Sequence, residues 1–177
     1  MTDSAPLLTT ERLELWRPRP GDLADLHAMM DDEETVRFVG GKVPSEADNF
    51  ARLLRNAGSW SLWGYGTFMV RLKGESRIAA AAGVFRTFRG FGPELGFDNA
   101  AEAGWIIHKD HWGQGLASEA MAAALTWFDQ THGPQRVVCM IETGHTASVR
   151  VAEKLGFAAN GTHALEDGTV LELFARG

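Results

Sequence analysis

Two glycines one residue apart, Gly113 and Gly115, stand between a short apolar run and a longer amphipathic one. Trp105-Ile-Ile107 reads as a buried strand. Leu116, Ala120, Ala124 and Phe128 recur at helical spacing, and Met121 and Leu125 widen the stripe. A strand, a glycine turn and a helix start, in that order, leave main-chain N–H groups without partners at the positive end of the helix dipole. Glycines let phosphate oxygens approach those groups closely. The chemistry this spacing offers is phosphate binding, so a phosphate-bearing cofactor is expected. Other groups with chemical capacity lie in or beside the unit: Glu102, Ser118, Ser148, His108, His111, His145, Lys109, Lys154 and Cys139.

Gly113-Gln-Gly115-Leu-Ala-Ser118 nearly matches the dinucleotide fingerprint, and Glu142 stands where an acid might hold a ribose. Three features weigh against that reading. Position 118 is Ser where close helix–strand packing wants Gly or Ala. Glu142 follows Gly115 by 27 residues, longer than the usual spacing of about 20. Only 35 residues come after Glu142, too few to complete a doubly wound sheet. No Gly-Lys-Ser/Thr follows, which excludes a Walker loop. His108 and His111 are three apart, but no Cys or carboxylate pattern completes a metal site, and no metal is expected.

The elements that must position these groups follow from the patterning. Thr10 to Arg17 alternates as a strand with one buried face. Asp22 resembles an N-cap for a helix carrying Leu23, Leu26, His27 and Met30. The acidic run Asp31 to Glu34 reads as a solvated helix end or loop. Ser45-Glu-Ala-Asp48 resembles a capping box for a second helix that ends near Gly58. The aromatic, glycine-rich stretch Trp60 to Gly66 leads into a strand, Thr67 to Leu72, and a hairpin returns through Arg77 to Phe85. Ala79 to Ala82 are small enough for a neighbour to press close. Arg86 to Ala100 is a long loop suited to a substrate mouth. Ala101 to Ile107 and Arg136 to Glu142 flank the central helix as a right-handed parallel crossover. A helix from His145 to Leu155 and a last strand pair, Phe157 to Thr162 and Val170 to Arg176, complete the chain. The expected class is α+β (mixed α/β), with antiparallel hairpins at both ends and one parallel β-α-β unit between them.

At 177 residues, with 45% hydrophobic residues, positions 1–177 are expected to form one domain. No apolar run reaches membrane-spanning length, and the opening residues lack signal-peptide character. Together with a single cysteine, this points to the cytoplasm and to no membrane partner. A net charge of −6 argues against broad nucleic-acid binding and is compatible with amine substrates.

Four segments, taken in order, resemble the GNAT superfamily of acyl-CoA-dependent N-acetyltransferases, nearest to the ribosomal-protein-alanine N-acetyltransferase (Rim-type) branch. They are Thr10 to Pro18, Gly64 to Val70, Glu102 to Ile107 with His111 to Ala120, and Ala147 to Phe157. The chain departs from the family at three places: Asp110 replaces a Gln or Arg, His145 an Asn, and Ala152 a tyrosine general acid. The resemblance implies acetyl-CoA as cosubstrate and direct attack by a primary amine, on a small molecule or a protein N-terminus, with a homodimer in keeping with the family.

It also implies where the groups act. An N–H near Ile106 or Ile107 would receive the thioester carbonyl. The backbone of Trp112, Gly113, Gln114, Gly115, Leu116, Ala117 and Ser118 would hold the pyrophosphate, with His108 beside it. The Ser118 hydroxyl would touch phosphate or cap the helix. His145 would contact the pantetheine arm or cap its helix, and Lys154, with Lys109 and Arg150, would attract the 3′-phosphate. Glu102 is the expected base, because alternation places it on one face with Gly104 and Ile106 and Gly104 leaves room for substrate. Glu94 and Asp98 stand as substitutes. Ser148 would protonate the departing thiolate. Trp60, Trp63, Tyr65, Arg86 and Phe91 are candidates to line the acceptor pocket, and Cys139 is expected in the core. The alternatives are a non-catalytic CoA-binding sensor or interaction protein and an NAD(P)-binding oxidoreductase.

Overall fold

Leu13 and Leu15 alternate with Glu14 and Trp16, and both leucines are fully buried while their neighbours are half-exposed, as a strand with one face on a core requires. The computed structural model describes residues 5–177. It pairs this strand, β2 (Leu13–Trp16), with β1 (Leu8–Thr9) on one side and β3 (Thr67–Leu72) on the other. β4 (Ile78–Phe85) and β5 (Ala101–Ile107) continue the antiparallel run. β6 (Val137–Glu142) joins β5 in parallel, and β8 (Val170–Arg176) lies between β6 and β7 (Ala158–Ala164). Among the described residues the order is β1-β2-β3-β4-β5-β6-β8-β7 with one parallel pair, the mixed, mostly antiparallel sheet expected from the sequence.

Helices cover both faces. α4 (Leu116–His132) is the crossover from β5 to β6. Its Ala120 and Ala124 share a core with Ala80 and Ala82 of β4, so the alanine run does admit a close neighbour. α5 (Thr146–Lys154) adds Ala152 to the same core. On the other face α1 (Leu23–Met30), α2 (Glu33–Val36) and α3 (Glu46–Trp63) bury Leu26, Met29, Met30, Val36 and Leu53 against Met69, Ile78 and Ala81. Beside that helical layer, the 86–100 loop packs Phe97 and Ala100 over Val138, Leu171 and Leu173.

The structure corrects three local expectations. The capping box forms, with Ser45 and Asp48 bonding reciprocally, but the helix passes Gly58 and ends at Trp63 on left-handed Gly64. A helical glycine costs about 1 kcal/mol. Burial of Trp60, whose indole N–H also reaches Thr67 O at 2.9 Å, outweighs it. Asp22 precedes α1, yet its carboxylate goes to Arg71 at 2.5 Å and to the N–H of Arg19 rather than capping the helix. The acidic run is not wholly solvated: Asp32 caps α2 through the N–H groups of Glu34 and Thr35 and pairs with Lys109.

Candidate functional site

β5 lies in the middle of the sheet, and a central strand is normally covered along its whole length. Ala101, Glu102 and Ala103 are buried, but residues 104–107 are all half-exposed. The parallel partner explains this. β5 and β6 pair only at Ala101↔Val137 and Glu102↔Val138, after which the strands part. The N–H of His108 bonds to Ala79 O, so by antiparallel alternation Ile106 also turns its main-chain groups to β4. Trp105 and Ile107 turn theirs into the gap. The Ile107 carbonyl accepts from the Trp112 indole at 2.8 Å, leaving its N–H directed into the opening. Of the two donors expected from the sequence, Ile107 faces the gap and Ile106 belongs to the ladder.

The glycine turn closes one end of the gap. A single 3-10 turn over residues 109–111 is capped by His108, whose Nδ1 accepts from the Asp110 N–H. Gly113 and Gly115 then take φ of +72° and +76°, the left-handed region that an L side chain enters only with strain. A Cβ on Gly113 would meet nothing within 4 Å, so the space before the turn is open. Gly115 heads α4 without any side-chain cap, and the first helical bond runs from Glu119 N to Gly115 O. The N–H groups of Leu116, Ala117 and Ser118 therefore have no intrahelical partner. Leu116 buries its side chain and offers only backbone here. Ser118 makes no capping bond, contrary to one of its expected roles. These features fit a phosphate group.

Two residues that sequence reasoning missed hold the turn in place. Arg12 donates to Gln114 O at 2.9 Å and pairs with Glu119 at 2.6 Å, while Glu119 also accepts from Thr10. Gln114 donates to Asp110 O at 3.2 Å. Arg12 and Glu119 lie 107 residues apart, so no local pattern linked them.

Across the gap, Trp105 Nε1 donates to Ser148 Oγ at 3.3 Å, tying β5 to α5. A hydroxyl that accepts there has its own proton free to point elsewhere. His145 does not cap α5 with its ring; its carbonyl accepts from the N–H groups of Ser148 and Val149. The ring stacks on Phe38, centroids 4.3 Å apart, and burial pulls its pKa below the usual imidazole value. Ala152 is fully buried. Lys109 is engaged by Asp32, whereas Lys154 is exposed at the last turn of α5.

Glu102 lies on one face with Gly104 and Ile106, but not as an open base. It is 3% exposed; Arg89 donates to its two oxygens at 2.9 and 2.6 Å, and Thr87 donates to one of them. The room expected beside Gly104 is filled by the Phe85 ring, which a Cβ there would meet at 3.0 Å. Asp98 is committed as well. Burial opposes its ionisation, but backbone N–H groups of Arg89, Gly90, Gly92 and Phe91 outweigh burial and hold its pKa below the usual carboxylate value. Glu94 is exposed.

The aromatic candidates divide. Trp60 packs on Phe68 and Trp127, and Tyr65 on Phe128 and His132, so both are core residues. Phe91 stacks on His163, fastening the loop to β7. Cys139 is buried, and burial with nearby Glu102 pushes its thiol up to about 12, far from a nucleophile's range. Between the helical layer and the 86–100 loop, Gly104, Ile106 and Met140 stay half-exposed on the face they share with Glu102. They floor a trough that leads to the gap. No helix among the described residues is long and apolar enough to cross a membrane.

Comparison with known proteins bears on this arrangement. A family described as acetyltransferase (GNAT) domain matches residues 12–158. A solved structure from Bordetella pertussis, assigned by name to the GnaT-family acetyltransferases, is 34% identical, with a TM-score of 0.85 over 96% of this chain and 98% of that one. RimL, a ribosomal L7/L12 alpha-N-protein acetyltransferase solved with coenzyme A, is 18% identical, with a TM-score of 0.74 over 96% of each chain, a likeness of fold. The uncharacterized protein YkkB of Bacillus subtilis is 38% identical over 55 residues, 31% of this chain and 32% of that protein, so the match spans about a third of its length.

Proposed function

Since the chain belongs to the GNAT acetyltransferase family, we propose that it transfers an acetyl group from acetyl-CoA to a primary amine, with the β5–β6 opening and the glycine turn as its cosubstrate site. The observation that carries this reading is the pair of left-handed glycines at the mouth of a gap in the middle of the sheet. Three unpaired N–H groups stand on one side of it and the Ile107 N–H on the other.

Acetyl-CoA supplies the activated acyl group. The N–H groups of Gly113 through Ser118 bind the pyrophosphate, and Arg12 and Glu119 keep that turn from relaxing. The Ile107 N–H donates to the thioester carbonyl oxygen; a preorganised donor of this kind is worth about 3 kcal/mol. Ser148 relays a proton to the leaving sulfur and regains one from water, which also takes up the proton that the amine loses. A thiol has a pKa near 8.5, so the demand on this hydroxyl is modest. His145, held neutral by burial and stacked on Phe38, borders the pantetheine path. Lys154 attracts the 3′-phosphate. Glu102 acts as a positioning residue that fixes Arg89 at the trough, and the amine loses its proton to water there. Acceptors range over protein N-termini and small-molecule amines.

A thermal shift with acetyl-CoA, CoA and NADH in turn tests the reading. A ligand at 100 times its Kd adds about 2.7 kcal/mol, or about 5–11 °C for a domain of this size. Stabilisation by acetyl-CoA and CoA, followed by thiol release when amines are added, is the expected result. Stabilisation by NADH alone would overturn it.

A further inference from the structure

The trough that leads to the gap has a cation on each wall. Along α3, Arg52, Asn56, Ser59 and Trp63 recur at helical spacing, and this stripe faces the 86–100 loop. Ser59 Oγ accepts from the Arg86 N–H at 3.2 Å, and the Arg86 guanidinium lies 5.7 Å from the Trp63 ring centre. Arg52 occupies the same stripe two turns nearer the helix start. It adjoins Leu53, which shares a core with Ile106, and follows fully buried Asn49 by one turn.

Arg52 is half-buried, yet among the described residues no carboxylate lies within ion-pair distance and no hydrogen bond is made to it. Asp48, one turn away, bonds within the Ser45 capping box and acts on Arg52 only through its charge, from beyond ion-pair distance. On the opposite wall Arg89 is neutralised by Glu102. Burial, with the like charges of Arg55 and Arg89, lowers the Arg52 pKa against the opposing charge of Asp48, but an arginine remains protonated at neutral pH. What Arg52 lacks is an acceptor: none of its five N–H donors makes a hydrogen bond among the described residues, and a partly desolvated guanidinium in that state can take a ligand oxyanion.

We propose that Arg52 sets acceptor specificity by taking an oxyanion, carboxylate or phosphate, that the acceptor carries a few bonds from its amine. This rests on the acetyltransferase reading above. The planar guanidinium matches a carboxylate or phosphate with two parallel N–H donors. An amine whose other end is anionic is held by Arg52 while its nitrogen extends toward the gap. Diamines and amino sugars present a second cation to Arg52 and are disfavoured.

The test compares acetyl-CoA-dependent thiol release on matched pairs: an amino acid against its carboxamide, phosphoethanolamine against ethanolamine, and a tripeptide with Asp at its second position against one with Asn. A diamine serves as the cationic probe. The expected result is a kcat/KM at least 10-fold higher for the anionic member of one pair, and which pair responds identifies the source of the oxyanion. Arg52→Ala should lower that ratio about 10- to 100-fold, chiefly through KM, as loss of a charge-assisted bond predicts. Arg52→Lys should restore part of it. An unchanged acetyl-CoA thermal shift certifies that the variants fold. Equal turnover of both members of every pair, or a ratio indifferent to Arg52→Ala, overturns the proposal and leaves the acetyltransferase reading intact. Failure of acetyl-CoA to bind overturns both.

Discussion

Replacing Glu102 with glutamine keeps the shape of the side chain and removes its charge. In the native protein both oxygens face donors: Arg89 at 2.9 and 2.6 Å, with Thr87 as a third. In the variant one oxygen becomes an NH2 group, so at least one donor faces another donor inside a site only 3% exposed. A lost charge-assisted bond is worth about 1.5–3 kcal/mol. Breaking a fully buried ion pair would cost about 3–5 kcal/mol, but the Arg89 side chain is 33% exposed and water recovers part of that. A loss of about 2 kcal/mol follows, or a fall in Tm of about 4–8 °C for a chain of this length. A general base contributes about 100- to 10,000-fold to rate. If Glu102 positions Arg89 instead, Glu102→Gln should lower Tm as stated, raise acceptor KM and keep the acidic limb of the kcat–pH profile. Thermal denaturation and steady-state thiol release between pH 6 and 9 measure both. An unchanged Tm, with kcat down 100-fold and the limb abolished, would show that the carboxylate is the base and that the reasoning from its partners is wrong.

Ser148→Ala should lower kcat about 10-fold at pH 7 with little change in acetyl-CoA affinity, since a thiolate leaves with modest help; an unaltered kcat from pH 6 to 9 would assign that proton to water. Asp98 has a folded pKa below its unfolded value, so the stability it contributes is complete above the unfolded pKa near 3.9 and is lost as pH falls through the folded one. Urea midpoints of the native protein and Asp98→Asn should therefore converge below about pH 4, and a constant gap would refute the assignment. Cys139, pushed up to about 12, is about one part in 10,000 thiolate at pH 8. Iodoacetamide should label it only in denaturant, and rapid labelling of the native protein would contradict its place in the core.

Much of this frame was legible because local rules and tertiary packing agree. The glycine pair, the Leu116–Phe128 stripe and the Ala79–Ala82 run each act through a feature visible in a few consecutive residues, and each occupies its expected place. What escaped depends on partners distant in the chain. Nothing near Glu102 reveals that Arg89 will fold back onto it, and nothing near Gly115 reveals the brace of Arg12 and Glu119. Trp60 and Tyr65 belong to an aromatic stretch that carries glycines, which suggests a pocket as readily as a core; the rings of Phe68, Trp127 and Phe128 decide it. The end of α3 lies beyond local rules for a related reason, since the anchoring of Trp60 on β3 overrides the weakness of Gly58.

The seam between β5 and β6 is two residue pairs long, whereas β4 meets β5 along six and β6 meets β8 along six. Mechanically the sheet is two plates, strands 1–5 and strands 6–8, sewn at one corner and strapped together by α4, by the 86–100 loop and by the Trp105–Ser148 bond. A molecule lying along the unsewn edge and bonding to main-chain groups would serve as a temporary ninth strand between the plates. A cosubstrate bound there would spend part of its affinity on stiffening the protein, and slower exchange in β7 and β8 is the expected sign. Amide exchange in those outer strands would read the state of the centre.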